Sequence, residues 1–187
     1  MAILLIERGG SPYKGMWALP GGFVGPDEDL DACAKRELHE ETAVDAPFLL
    51  HFANFSAPDR DPRERVISVA YLALLRSDLV VPNAGSDAAA VRWFGTDELP
   101  PLAFDHARII EAAVGSLRAR LDDGEMIFRL LPERFTLSEL QAAYEAVAGK
   151  RTDKRNFRNK MSGLRLVRET GEMTRGPHRP ARIFVRA

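Results

Sequence analysis

The stretch Gly22–Val44, GFVGPDEDLDACAKRELHEETAV, limits what this chain can fold into more than any other. It opens with turn-forming residues, a Gly21-Gly22 pair after Leu19-Pro20 and then Gly25-Pro26-Asp27. Asp29 follows with the chemistry of a helix N-cap, because a short carboxylate can take up an orphan backbone N–H, and Leu30–Glu41 carries helical apolar spacing. The stretch is therefore a loop feeding a helix. At about 100° per residue, Glu37 and Glu41 fall within about 40° of each other and Glu40 about 60° to the other side, so the three carboxylates share one face. Anions packed that closely repel one another unless a cation neutralises them, and an all-oxygen set suits hard Mg²⁺ or Mn²⁺. A solvated acidic helix face is the plain alternative.

The spacing of the whole stretch decides between these readings. It resembles the Nudix box: Gly22, five residues, Glu28, seven residues, Arg36-Glu37-Leu38, one residue, Glu40-Glu41, one residue, then Ala43-Val44. One position departs from the family pattern: Ala43 stands where the family has Gly, just past the helix, where glycine takes a left-handed cap without strain. Alanine there costs some stability and bears on how the last helical turn aims Glu41. The resemblance implies that Glu37, Glu40 and Glu41 are the catalytic and metal-holding residues, with Mg²⁺ (or Mn²⁺) as cofactor, and that Gly22, Glu28 and Arg36 support the loop. The chemistry implied is metal-assisted cleavage of a phosphoanhydride. A box glutamate and a loop glutamate such as Glu64 both remain open as acceptors of the water's proton.

Net charge is −1 overall, but residues 1–125 hold 12 Lys+Arg against 21 Asp+Glu, and residues 126–187 hold 14 against 6. A balance of −9 followed by one of +8 argues for two modules with different partners, an acidic one suited to a divalent cation and a basic one suited to phosphate backbones. The expected boundary lies at 124/125. The one cysteine, Cys33, excludes an internal disulfide and reads as a small buried hydrophobe, with a reactive thiol as the other reading. No apolar run approaches membrane-spanning length and no signal pattern opens the chain, so the expectation is a cytoplasmic protein with no membrane partner.

In the acidic part, Ala2–Glu7, Pro47–Phe55, Arg65–Leu75 and Val91–Phe94 read as strands, and the spacing of Ile110, Val114, Leu117 and Leu121 predicts a helix over about Phe104–Leu121. Nudix domains generally have a further strand before the one at Ala2–Glu7, so the resemblance implies a shortened start or a rebuilt sheet edge. Trp17 reads as core or as a wall of the ligand pocket. Arg60, Arg63 and Arg65, in the loop APDRDPRER, are either a phosphate clamp or ordinary surface charge. Asp105 and His106 open the last helix, where such residues cap more often than they catalyse, with a ligand or acid–base role for His106 as the other reading.

In the basic part, Thr136-Leu137-Ser138-Glu139 has the form of a capping box, and Leu137, Leu140, Tyr144 and Val147 give its helix an inner face. A turn at Gly149-Lys150 leads to a second helix after Thr152-Asp153, with Phe157, Met161 and Leu164 expected inward. Lys154, Arg155, Arg158 and Lys160 are expected around its remaining surface, and Lys154, Arg155, Asn156, Arg158 and Asn159 are its DNA-binding candidates. Leu166–Arg168 and Arg182–Val185, joined through Arg175, His178 and Arg179, read as a two-stranded wing. The pattern resembles a winged helix, whose second helix enters the major groove while the wing meets phosphate, which makes Arg175 and Arg179 DNA-binding candidates.

The order of the pieces WALPGGFVGPDEDL, DRDPRERVISVAYLAL, LPPLAFDHA, FTLSELQAAYEAV, KRNFRNKM and HRPAR is similar to that of the bacterial Nudix-related regulators of NAD metabolism and their ADP-ribose pyrophosphatase relatives. The resemblance covers nearly the whole chain. It implies an α+β fold, a Nudix α/β/α sandwich followed by a winged helix-turn-helix. It also implies an ADP-ribose-type nucleotide, operator DNA and a second copy of the chain as partners. Two roles follow: a ligand-responsive DNA-binding regulator that keeps some hydrolysis, or a dedicated pyrophosphatase whose winged helix is an interaction module.

Overall fold

A computed structural model describes residues 1–76, 81–85, 88–123, 125–174 and 180–187. The chain divides into two compact units, Met1–Val114 and Gly115–Ala187.

In the first unit, β1 (Ala2–Arg8) is the middle strand of an antiparallel sheet. Its run Leu4-Leu5-Ile6 is buried throughout, which is why it reads as continuous apolar sequence instead of alternation. One edge pairs with the two-residue β2 (Trp17–Ala18) and the other with β5 (Ala88–Gly95), Leu5 lying opposite Arg92. Both edges of β1 are thus occupied. The chain returns from β1 to β2 through a turn closed by Gly15 N–H to Arg8 O at 2.9 Å and Arg8 N–H to Met16 O at 3.0 Å. Ile6, Ala18 and Ala103 form a buried cluster with Met16, Val91 and Phe104 packed on it. β3 (Leu49–Phe55) and β4 (Ser68–Ala73) form a second antiparallel pair, irregular between His51 and Ala53.

The helix of the acidic stretch, α1 (Leu30–Thr42), starts where the sequence places it, with Asp29 Oδ1 accepting the Ala32 N–H at 2.8 Å. It ends at Ala43, whose φ of 54° is the left-handed cap conformation that glycine takes without strain. Only Cys33 and Thr42 of α1 are buried, so the helix keeps most of its polar surface open. Tyr71 of β4 ties it to the second strand pair by donating to Asp31 Oδ1 at 2.7 Å, and that carboxylate pushes the Tyr71 hydroxyl up to about 12. α2 (His106–Ala119) closes the unit, Ile109 and Ile110 being buried; the division between the units falls within it.

The second unit has a core of Leu117, Leu121, Met126, Ile127, Phe135, Leu140, Tyr144, Val147, Phe157 and Met161. After a short 3-10 turn (Leu121–Asp123) and the one-turn α3 (Glu125–Phe128), β6 (Phe135–Thr136) leads directly into α4 (Leu137–Ala148). The capping box is complete: Thr136 Oγ1 accepts the Glu139 N–H at 3.2 Å and Glu139 Oε2 accepts the Thr136 N–H at 2.7 Å. Gly149 ends α4 at φ 71°, a position that needs glycine because an added Cβ would also lie 2.7 Å from Arg118 Nη2. Asp153 caps α5 (Lys154–Gly163) by accepting the N–H groups of Arg155 and Asn156. β7 (Val167–Met173) and β8 (Arg182–Arg186) form the wing, with β8 between β6 and β7. One expectation fails here: Leu164 is 40% exposed, because α5 stops at Gly163 and Leu164, its C-cap, leaves the buried face.

Candidate functional site

Arg36 is the hub of the acidic stretch. It grips Glu28 with Nε and Nη2 (2.9 and 2.6 Å), while Nη1 donates to Glu37 Oε1 at 2.7 Å and to Glu40 Oε2 at 2.9 Å. Glu28 in turn accepts the Gly25 N–H at 2.7 Å, which locks the loop onto the helix. The Arg36 guanidinium, helped by that N–H, holds the Glu28 carboxyl well down, at about 2. Gly21 N–H donates to Glu41 Oε2 at 2.9 Å, so the loop touches the last carboxylate as well. Gly22 lies against Glu37: a Cβ there would stand 2.4 Å from Oε1 and 2.7 Å from Oε2, so only glycine lets the loop approach this closely.

Glu28, Glu37, Glu40 and Glu41 carry four negative charges against the single guanidinium of Arg36 that three of them contact. The donor set fits a hard divalent cation in kind, since it is all carboxylate and remains anionic after Arg36 is counted. As placed, Glu37 and Glu40 turn toward Arg36 and Glu41 toward Gly21. Among the described residues no three His, Cys, Asp or Glu side chains stand close enough to hold a metal ion without rotating.

Two supports of this site come from residues far along the chain. Residues 81–85 run across the end of α1, Asn83 N–H donating to Thr42 O at 2.9 Å and Gly85 N–H to Glu41 O at 3.2 Å, which satisfies carbonyls that a helix end leaves orphaned. A Cβ on Gly85 would fall 1.7 Å from the Glu40 carbonyl oxygen, a backbone atom that cannot simply swing aside. A lone glycine after Pro82-Asn83-Ala84 signals a turn and nothing more. The second support is His106, whose Nδ1 accepts the Leu19 N–H at 2.9 Å and so fixes the chain just before the glycine pair. Burial pushes His106 down to about 4, and a neutral ring is what an accepting Nδ1 requires. This is a loop-positioning bond in place of the capping or acid–base roles open from the sequence.

The remaining candidates of the first unit are placed as follows. Trp17 is half-buried in β2, edge-on to Phe94 with ring centroids 4.6 Å apart. Arg60 corrects the clamp reading: it is buried, with Nε and Nη2 paired to Asp105 at 3.1 and 2.7 Å and Nη1 donating to Ser68 Oγ at 2.7 Å, so all three nitrogens serve internal partners. Arg63 is held by Asp61 through Nε and Nη2 at 3.0 and 2.7 Å and remains exposed on its other side. Glu64 is exposed in the same loop.

In the second unit, Phe157 and Met161 bury one side of α5, Phe157 meeting Tyr144 of α4 at 5.4 Å, and leave Lys154, Arg155, Asn156, Arg158 and Asn159 all exposed. The turn between the helices is stitched by Glu145 Oε1, which accepts from Thr152 N–H and Oγ1 at 2.8 and 2.9 Å. Lys160, expected on the open surface with these residues, instead faces back, pairing with Asp122 at 2.5 Å and donating to the Tyr144 hydroxyl at 2.7 Å. The wing candidates Arg175 and Arg179 lie outside the described residues. Among the described residues no helix is long and apolar enough to cross a membrane.

Comparison with known proteins finds a family for each part of the chain. The NUDIX domain family matches residues 1–113, and the NrtR DNA-binding winged helix domain matches residues 127–185. The chain is 35% identical over 188 residues to the ADPR responsive transcriptional repressor NtrR of Acinetobacter baylyi, covering 98% of this chain and 75% of that protein. It is 43% identical over 110 residues to the ADP-ribose pyrophosphatase of Methanocaldococcus jannaschii, covering 58% of this chain and 63% of that protein. Shewanella oneidensis NrtR, crystallised with a 27mer DNA, superposes with a TM-score of 0.76 at 32% identity over 100% of this chain and 86% of that one. Fold and carboxylate helix thus define a Nudix domain joined to a DNA-binding winged helix. Within the Nudix hydrolase superfamily, the chain belongs to the NrtR family of Nudix-related regulators.

Proposed function

We propose that this protein is a DNA-binding regulator that responds to ADP-ribose or a closely related nucleoside diphosphate and also cleaves the phosphoanhydride of that ligand with Mg²⁺. The observation that carries the reading is the presence, in one chain, of an intact carboxylate helix locked to a glycine loop and an α5 surface that bares three cations and two amides, Lys154, Arg155, Arg158, Asn156 and Asn159. The names of the Acinetobacter repressor and the Methanocaldococcus pyrophosphatase support the ligand, and the DNA-bound Shewanella structure supports the operator.

In the reaction, Glu37, Glu40 and Glu41 would hold the cation. Mg²⁺, or Mn²⁺, supplies neutralisation of phosphate oxygens and a water of lowered pKa when bound. Arg36 and Glu28 keep the helix and loop in register, so the carboxylates meet a ligand from a fixed base. The Gly21–Gly22 backbone lets the loop lie directly on Glu37 and Glu41 without side chains intervening.

On DNA, Arg155 and Arg158 reach bases or phosphates from α5 in the major groove, and a homodimer reads two half-sites. A protein that binds operator DNA works in the cytoplasm. The unspoiled Glu37-Leu38-His39-Glu40-Glu41 run favours a second reading, a working pyrophosphatase whose winged helix serves another interaction. Purified protein incubated with ADP-ribose and Mg²⁺, with products separated by chromatography, tests the hydrolytic half. Release of AMP and ribose 5-phosphate is expected; ADP-ribose that stays intact yet binds in calorimetry would leave a sensor without catalysis.

A further inference from the structure

The chain passes from the first unit to the second inside α2, between Val114 and Gly115. The head of this helix belongs to the carboxylate unit, where His106 holds Leu19 just before the glycine whose N–H reaches Glu41. Its tail belongs to the second unit, and there two side chains reach the helix pair that carries the DNA-reading surface. Arg118, in the last turn of α2, donates from Nε to Val147 O at 3.0 Å. Val147 lies in the last turn of α4, where carbonyls lack intrahelical partners and a cation is favoured.

The second grip comes from Asp122 in the 3-10 turn that follows α2. Its Oδ1 pairs with Lys160 Nζ at 2.5 Å and accepts from the Tyr144 hydroxyl at 3.2 Å, and Lys160 closes the triangle by donating to that hydroxyl at 2.7 Å. One carboxylate thus ties the turn to α4 and α5 together. Apolar contact already packs α5 on α4, since Phe157 and Met161 are buried and the Phe157 ring lies 5.4 Å from Tyr144. The Asp122 side chain is 59% exposed, so its ion pair adds little to stability. A lysine on a DNA-reading helix would gain by facing phosphate, yet Lys160 is committed to the turn. What the pair supplies is orientation.

We propose that Arg118 and Asp122 set the pose of α5, Asp122 acting through Lys160 and Tyr144, and that this grip is how nucleotide binding changes operator affinity. The inference rests on the reading that this protein responds on DNA to an ADP-ribose-type ligand. A ligand that binds better to one position of the loop at Leu19 also favours one position of α2, and the tail of α2 carries α5 with it. Arg118, Asp122, Tyr144 and Lys160 are positioning residues in this scheme.

The test uses the full-length chain carrying Glu41→Gln, which does not consume ADP-ribose and whose amide oxygen can still accept the Gly21 N–H. Anisotropy of a labelled operator fragment gives the Kd with and without saturating ADP-ribose, and the ratio of the two cancels any direct contact of Lys160 with DNA. A ratio of about 5 to 150 is expected in the parent. Adding Asp122→Asn, which removes charge and little volume, is expected to bring the ratio below about 2 while ADP-ribose binding in calorimetry without DNA stays unchanged. Lys160→Gln is expected to cause the same loss, and the double variant no more than either alone. A parental ratio in Asp122→Asn and in Lys160→Gln overturns the grip and leaves the nucleotide response standing. Losses that add in the double variant also overturn it, because Asp122 and Lys160 would then act separately. A parent whose operator affinity ignores bound ADP-ribose defeats the reading of a nucleotide response, and this proposal with it.

Discussion

Replacing Gly22 with alanine puts a methyl carbon 2.4 Å from Glu37 Oε1 and 2.5 Å from its carboxyl carbon. Carbon needs about 3.5 Å from such atoms, so the carboxylate must retreat by about 1 Å. Glu37 is the end of a flexible side chain, and its 2.7 Å bond to Arg36 is partly exposed, so the fold survives at a cost of about 1 kcal/mol. Hydrolysis does not survive as well, because a displacement of about 1 Å in a positioned group costs about a hundredfold in rate. Steady-state ADP-ribose cleavage at saturating Mg²⁺, set beside a urea melt, measures both quantities on one preparation. A variant that melts normally and turns over at the parental rate would refute the argument that Gly22 exists to let the loop reach Glu37.

Gly85→Ala should be worse for the fold, about 3 kcal/mol in a denaturant melt, because the added carbon meets the Glu40 carbonyl and the backbone itself must shift; a loss under about 1 kcal/mol would show that residues 81–85 do not hold α1. His106 is neutral in the fold down to about 4, whereas an unfolded histidine takes its proton near about 6.5. The unfolded state therefore binds the extra proton between those values, and the stability His106 lends above about 6.5 fades as pH falls, by about 2 kcal/mol between pH 7 and 5. His106→Gln should flatten that slope, and an unaltered slope would assign it to other groups. Arg155→Ala and Arg158→Ala should each weaken DNA binding in gel shifts, by about 1 to 3 kcal/mol at one base pair if a base is read, or across all sequences with a shallower salt dependence if phosphate is met. Unchanged affinity in both would remove α5 from the reading role.

What the sequence makes legible is what local chemistry determines. Asp29 opens α1, and Thr136, Glu139, Gly149 and Asp153 bracket the two helices of the second unit, because caps are short-range devices whose residue types are their cause. The spacing of Arg36 and its glutamates is also local, so their meeting needs only a helix and one loop. Long-range partners are not legible in this way. Trp17–Ala18 is too short to show a strand period, yet it covers an edge of β1. Arg60 looks like any loop arginine until Asp105, 45 residues away, buries it. Gly85 gives no hint that it packs on the helix bearing the carboxylates. His106 shows the same limit, since its role depends on Leu19, 87 residues back.

On the proposed function, nucleotide and DNA binding are linked in one chain. This linkage is tested most directly by fluorescence anisotropy of a labelled operator fragment, selected from genomic DNA by the protein itself and titrated with the Glu41→Gln variant with and without saturating ADP-ribose. ADP-ribose is expected to weaken operator affinity by about 1 to 3 kcal/mol, and DNA to weaken ADP-ribose binding by the same factor. Operator affinity that does not change while the nucleotide site is demonstrably full would contradict it.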